Sequence, residues 1–463
     1  MQDYIKPSLD YIEQNLKTEI KVEELAQMTG YSVVHYCRLF KQITGLPVTN
    51  YISKKRINHA LSEISSGRKA IDTVLEYGFD SYSGFYKAFI KMYGCSPSKY
   101  SKHTTFYNNL TPKEMEKIFM DYNKIAEEAL KSYSIQSKSI EFISERGEVV
   151  YKITSDDNKL YCLKLYTKRE KTILVNSELE WVAALACDTD ITVQEPYKNK
   201  NGEYVTVIDS VNCTLTKWLE GKPGAHNDEM PGGMKFIWAL FFENEDINEH
   251  EDKEEALSYI SVLGKMHRHS SEWMPPVGFE RPINEFTDIK LADIMAGLDT
   301  LDTKIYNKES IEIIKQAGKK AFDKMRTFEK NKMTWGLIHG DYGWCNFVSH
   351  NQEICPIDFA GCGYDYYLAD VALAVHFVAP AKRKFFLDIY SQYFPLPDDY
   401  VSMLETFIVL DELGTIGNYL KWDNPDKDGW LSTDFNTWAN GEFCYYLNDE
   451  PFLFDKKSFV QWQ

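Results

Sequence analysis

The stretch Trp335-Gly336-Leu337-Ile338-His339-Gly340-Asp341, followed by Asn346 and then by Ile354-Cys355-Pro356-Ile357-Asp358, constrains this chain more than any other. Two short apolar runs each end on an acid, and an amide stands five residues after the first acid. Apolar runs of this length, bounded by polar residues, read as buried strands. Two such strands deliver their acids to one rim. The offsets 0, +5 and +17 for acid, amide and second acid are those a phosphoryl-transfer site needs. Asp341 supplies a base for an attacking hydroxyl, and Asn346 and Asp358 supply oxygen ligands for magnesium.

The sequence upstream fits that chemistry. Ile140–Ser144, Val149–Thr154 and Leu160–Tyr166 read as strands, with an Asp156-Asp157-Asn158 turn between the last two. Alternation leaves Lys164 on the opposite face of its strand from Leu163 and Leu165. A helix over Asn176–Ala186 carries Glu178, with Glu180 as a rival in a poorer frame, and a further strand covers Tyr204–Ile208. Beyond it the pattern is mainly helical. The layout is an α+β, two-lobed, protein-kinase-like fold over 135–463, with a small lobe over about 135–215 and a helical large lobe over about 216–463. In it Lys164 reaches the α/β phosphates of ATP and Glu178 holds Lys164 in place. Other residues have plainer readings. His339 is a hydrogen-bonded structural histidine, His267 and His269 are helix and rim residues, Cys355 and Cys362 are small core residues, and the acidic run Glu243–Glu255 is an exposed loop.

The first hundred residues carry a separate signal. Residues 1–103 hold 14 Lys+Arg and 10 Asp+Glu, a balance of +4; the other 360 hold 38 and 59, a balance of −21. The net charge of −17 therefore conceals a mildly basic N-terminal part. Leu9, Ile12 and Leu16 have helical spacing over Asp3–Leu16. Val22–Met28, a Thr29-Gly30-Tyr31 turn, a Ser32 cap and a helix over Val33–Ile43 form a helix-turn-helix unit. Ala70–Glu76, the turn Tyr77-Gly78-Phe79, a Ser81 cap and a helix over Tyr82–Met92 repeat it, and Val48–Ser65 joins the two. A repeated recognition unit reads successive major-groove faces of one double-stranded DNA. Thr111 and Pro112 then start a helix running to about Tyr133, so 104–134 reads as a linker and connecting helix, the helix either belonging to the second domain or acting as a connecting rod.

The N-terminal residues resemble the AraC/XylS-type DNA-binding domain over about 95 positions. Leu25-Ala26, Gly30-Tyr31-Ser32, Arg38-Leu39-Phe40-Lys41, Thr44-Gly45, Arg56-Ile57, Gly78-Phe79-Asp80-Ser81 and Ser96-Pro97 carry the likeness. The resemblance implies an all-α double helix-turn-helix. It places base-edge contacts at Val34, Cys37 and Arg38 in the first recognition helix and at Tyr82, Ser83, Tyr86 and Lys87 in the second. Arg38 suits guanine, while Lys41 and Lys87 suit phosphates. Val74-Leu75-Glu76 departs from the family pattern and brings an acid beside the duplex.

The C-terminal part resembles the aminoglycoside phosphotransferase/choline kinase-like family over about 330 residues. The His339-Gly340-Asp341…Asn346 loop, Asp358, Asp370-Val371-Ala372, the Leu263–His267 stretch and Arg281-Pro282 carry the likeness. It implies ATP and Mg2+ as cofactors and a mainly structural role for Asp370. Two departures stand out. Tyr342-Gly343-Trp344-Cys345 replaces the usual residues after the catalytic aspartate, and the small-lobe phosphate loop Ser144–Glu148 has only Gly147, with Glu145 and Glu148 adding negative charge.

Two functions follow. In one, a DNA-binding transcription regulator is fused to a phosphotransferase acting on a hydroxyl of a small molecule. In the other, the kinase-like part senses a ligand or nucleotide without turnover. No apolar run is long enough for a membrane span, and nine dispersed cysteines without a paired framework fit the cytoplasm. The oligomeric state, the substrate and the operator stay open at this level.

Overall fold

The computed structural model describes residues 5–18, 20–44, 47–65, 68, 70–79, 112–145, 148–167, 170–224, 237–240, 246–343, 345–421 and 435–455. The N-terminal unit contains α1 (Lys6–Gln14), α2 (Val22–Met28), α3 (Val33–Thr44), α4 (Val48–Ser65) and α5 (Ala70–Glu76). Their apolar faces meet in one core that includes Ile12, Leu25, Tyr36, Phe40, Ile57 and Val74. Gly30 turns α2 into α3 with φ +73°, and Gly78 follows α5 with φ +80°, the left-handed region glycine enters freely. Ser32 caps α3, its Oγ accepting from the His35 N–H at 3.4 Å. The expected second recognition helix, Tyr82–Met92, lies outside the described residues.

The C-terminal unit begins with α6 (Pro112–Lys131). Of the two readings open for this helix, its packing favours membership of the second unit. Ile125, Ala126, Ala129 and Leu130 pack with Val149, Tyr151, Leu163, Leu165 and Leu215 on one face of the small-lobe sheet. That antiparallel sheet comprises β1 (Ser137–Glu145), β2 (Glu148–Ser155), β3 (Leu160–Tyr166), β4 (Pro196–Tyr197), β5 (Val205–Ile208) and β6 (Val211–Lys217) in the order β1-β2-β3-β6-β4, with β5 also on β6. Between β3 and β4 runs α7 (Thr172–Asp188), one turn longer at its start than the sequence pattern indicates. Because β3 alternates, burying Leu163 and Leu165 under α6 sends Lys164 out through the other face.

In the large lobe, β7 (Lys222–Pro223) and α8 (Lys253–Glu272) are followed by α9 (Asp288–Leu298) and α10 (Lys308–Met325). Next come β8 (Trp335–Ile338), the hairpin β9 (Phe347–His350) and β10 (Glu353–Pro356), and β11 (Gly363–Tyr366), which pairs with β8. The helices α11 (Tyr367–His376), α12 (Pro380–Tyr393) and α13 (Tyr400–Leu420) complete it. A single large core unites these helices with Leu337, Phe347, Ile354 and Phe359. The acidic run only partly matches an exposed loop. Asp252 and Glu255 are buried at the start of α8, while residues 243–245 lie outside the described set. No described helix is long and apolar enough to cross a membrane.

Candidate functional sites

Hairpin geometry brings the distant acids together. In the β9–β10 register Phe347 faces Pro356, and one step further the Ile357 N–H donates to the Asn346 carbonyl at 3.0 Å. Asp358 therefore emerges beside Asn346. The Asn346 amide nitrogen donates to the Asp341 carbonyl and to Asp341 Oδ2, each at 2.8 Å. Lys164 crosses from the small lobe, and its Nζ lies 3.0 Å from Asp358 Oδ1 and 3.8 Å from Glu148. Asp358 itself is held at φ +63°, ψ +60°. A non-glycine residue in that region stores strain, which concentrates at functional sites.

Electrostatics separates the two acids. Burial, reinforced by Asp358 and Asp370, pushes the Asp341 carboxyl up to about 6 despite the Asn346 hydrogen bond. The Lys164 ammonium holds Asp358 below its ordinary value against the cost of burial. Divergent environments of this kind give paired carboxylates separate roles.

The loop that carries Asp341 is braced from below. Buried Asp370 accepts from the backbone N–H groups of His339 at 2.7 Å and Gly340 at 2.9 Å. His339 is fully buried, and its Nε2 meets the Ile357 carbonyl at 3.1 Å, tying the Asp341 loop to the strand that delivers Asp358. Burial lowers its pKa, so the neutral ring is a strut, in line with its expected structural role. His269 pairs with Asp188 at 3.1 Å near the surface. His267 is a residue of α8, as expected. It is buried beneath the loop, 2.8 Å from the Tyr390 hydroxyl and 3.4 Å from Asp370. Cys355 and Cys362 are buried free thiols.

The unusual residues after Asp341 have their own anchor. Tyr342 stacks on Tyr259 with centroids 4.7 Å apart, and each hydroxyl donates to the other's carbonyl at 2.9 Å. Trp344 lies outside the described residues.

The expected direct Lys164–Glu178 pair is not formed. Tyr166 stands between them: Lys164 Nζ is 5.3 Å from its ring centre, and its hydroxyl donates to Glu178 Oε1 at 3.3 Å. Burial pushes Glu178 up to about 7, which weakens it as a counter-ion and leaves Lys164 to Asp358. Sequence reasoning treated Arg281 only as half of a recurrent dipeptide, and it does much more. Its guanidinium donates to the carbonyls of Leu174 in α7 (2.9 Å), Ala360 (2.6 Å) and Cys362 (2.7 Å). It thereby pins the turn after Asp358 to the helix bearing Glu178. Its place before Pro282 was the only available hint.

In the N-terminal unit, Arg38 and Lys41 are exposed on α3, as groove and phosphate contacts require. Cys37 is half-buried against the core. Val34 belongs to the same helix. Tyr82, Ser83, Tyr86 and Lys87 lie outside the described residues. Glu76 is not a bare acid: Lys17 at 2.9 Å and Arg68 at 2.6 Å both pair with it.

A helix-turn-helix unit joined to a two-lobed kinase-like unit defines a phosphotransferase fold fused to a DNA-binding domain. Residues 139–405 match the phosphotransferase enzyme family, and the chain belongs to that family; residues 25–103 match a helix-turn-helix domain of the AraC type. The chain is 38% identical over 107 residues to the HTH-type transcriptional activator AarP of Providencia stuartii, covering 23% of this chain and 79% of that protein. It is 24% identical over 267 residues to amicoumacin kinase of Bacillus subtilis (strain 168), covering 57% of this chain and 70% of the relative. A solved complex of amicoumacin kinase hAmiN with AMP-PNP, Ca2+ and Ami has the same fold, with a TM-score of 0.55 at 18% identity over 74% of this chain and 97% of the other.

Proposed function

We propose that this chain is a DNA-binding transcription regulator whose C-terminal unit transfers the γ-phosphate of ATP to a hydroxyl of a small molecule. The supporting observation is the meeting of Lys164, Asp341, Asn346 and Asp358, with Lys164 and Asp358 in contact across 194 positions of sequence. Asp341 takes the proton of the acceptor hydroxyl. Lys164 turns from Asp358 to the phosphates when nucleotide enters, and Glu178 with Tyr166 sets the wall behind it. Asn346 and Asp358 fit a magnesium ion by their donor chemistry. The Asn346 amide nitrogen is committed to Asp341, and its carbonyl oxygen, which accepts only a weak bond from the Cys345 thiol at 3.6 Å, keeps a lone pair for a ligand beside a carboxylate. When bound, that ion offsets the charge on the phosphates. Glu148, beside Lys164, adds negative charge where the phosphates bind, so nucleotide affinity is modest. On the other unit, Arg38 reads a base edge and Lys41 a phosphate, with Val34 and Cys37 on the same helix and Tyr82, Ser83, Tyr86 and Lys87 as the second set. The shared need for DNA and ATP puts its work in the cytoplasm.

Amicoumacin is the first acceptor to test, followed by a panel of hydroxylated amines. Purified full-length chain with Mg2+ and ATP is expected to phosphorylate one of them. Asp341→Asn should lower kcat by ~10²–10⁴-fold while nucleotide binding persists. Nucleotide binding without turnover on any acceptor would instead identify a sensor and overturn the catalytic reading.

A further inference from the structure

Away from the candidate cleft, three elements of the large lobe converge on a second set of ligating groups. His376 ends α11, Glu412 lies midway along α13, and Glu442 sits in the π-helical turn Ala439–Phe443. His376 Nε2 is 3.3 Å from Glu412 Oε1 and 3.9 Å from Glu442 Oε1. One ligand atom from each lies within 4.8 Å of the other two. The carboxylates are only 3% and 4% exposed.

The second observation concerns Glu412 alone. Both of its oxygens are buried, and neither has a hydrogen-bond partner among the described residues. A buried carboxylate without donors costs several kcal/mol unless it takes up a proton or a cation, and an ion that binds there displaces the proton. His376 Nε2 faces that carboxylate at 3.3 Å, and an imidazole in its neutral form has a lone pair to give to an ion. Arg383 is close enough to be felt by the cluster, yet its guanidinium donates to the carbonyls of Val378, Leu453 and His376.

We propose that His376, Glu412 and Glu442 form a divalent-metal site of the zinc class, separate from the magnesium ligands of the cleft. Ligands about 2.0–2.1 Å from a tetrahedral ion stand roughly 3.3–3.4 Å apart, which matches the His376–Glu412 edge; the longer Glu442 edge closes by a small side-chain rotation. The imidazole nitrogen favours zinc over magnesium or calcium. Glu412 and Glu442 close the inner side, and His376, 19% exposed, leaves an outer side for entry and for a water in the fourth position. The ion staples α11, which carries Asp370 under the catalytic loop, to α13 and to the segment at 435–455.

The test uses full-length protein stripped with EDTA, reloaded with Zn2+ in excess Mg2+, and assayed for retained metal by elemental analysis and for Tm. Wild type should retain one zinc per chain and melt higher than the stripped protein. His376→Ala, which removes a partly exposed ring, should lose that zinc while still binding Mg–ATP. Glu442→Gln, which keeps the side-chain shape, should lose it as well. Zinc retention equal to wild type in both variants, or a wild-type chain that retains none and whose Tm ignores zinc and EDTA, overturns the proposal.

Discussion

At the scale of single residues, burial decides which acids remain ionised, and Asp365 offers the clearest measurement. It is 8% exposed at the β8–β11 pair, and burial pushes it up to about 7 even though the Tyr366 N–H donates to it at 2.7 Å. An unfolded aspartate titrates near 3.8, so between about pH 4 and 7 the native state binds the extra proton. Stability therefore falls as pH rises through that window and levels off above 7, a loss of up to ~4 kcal/mol at about 1.4 kcal/mol per unit. Asp365→Asn should reduce the fall of urea midpoints of the C-terminal unit across that window, leaving the share of Asp341 and Glu178, and raise them at pH 8. An unchanged pH profile in the variant would show that Asp365 is ionised in the fold. On α3, Arg38→Ala should cost ~1–3 kcal/mol on the preferred DNA and relax choice at one base position, whereas Lys41→Ala should weaken all sequences alike and lower the salt slope by about one. Competition binding on a randomised base panel separates these outcomes, and equal losses on every sequence for Arg38→Ala would remove it from the base-reading set.

At the scale of elements, the strands that deliver acids were legible because their cause is local. The apolar run Trp335–Ile338 has to be buried, and Asp341 follows at its end; Leu163 and Leu165 have to face a core, and Lys164 is left on the other side. What the sequence hid was whatever depends on a third element. Nothing local to β3 or α7 says that Tyr166 will separate Lys164 from Glu178, or that Arg281 will bind three carbonyls from two segments. Nor does the spacing of α6 reveal that Ile125 and Ala129 meet a sheet. The β9–β10 hairpin illustrates both sides. Its two turn residues, Asn351 and Gln352, have φ +50° and +67°, the primed-turn geometry that matches strand twist and favours Asn-Gly. Asn is well placed, but Gln at positive φ is strained. Gln352→Gly should stabilise the C-terminal unit by ~0.5–1 kcal/mol and leave turnover unchanged, since the turn lies at the end of the hairpin opposite Asn346 and Asp358. A lower urea midpoint in the variant would mean that the Gln352 side chain makes a contact worth more than the strain. Gly340 is the converse. At φ +76° any Cβ would collide with the Gly361 carbonyl, and Gly340→Ala would push the Asp341 loop off Asp370.

At the scale of the whole molecule, a basic reader of +4 is tethered to a unit of −21. The acidic unit opposes a duplex through long-range repulsion that screens within about 10 Å at 0.1 M salt. The tether therefore lowers DNA affinity at low salt more than at high salt, which partly offsets the counter-ion release of Lys41 and its neighbours. The same tether makes ligand control of DNA reading possible, on one condition: the ligand must bind the DNA-competent and DNA-incompetent arrangements with different affinity. Typical couplings are ~1–3 kcal/mol, or about 5–150-fold. Such coupling is reciprocal, which supplies an internal check. If Mg–ATP with acceptor changes the Kd for operator DNA by some factor, saturating operator must change the Kd for Mg–ATP by that factor. Asp341→Asn is the protein for this measurement, because it should bind nucleotide without consuming it. Titrating fluorescent nucleotide with and without operator, and operator with and without nucleotide, should return matching ratios well away from one. Two ratios both equal to one would show that the units share a chain without sharing a signal, and the phosphotransferase would then act independently of the DNA it accompanies.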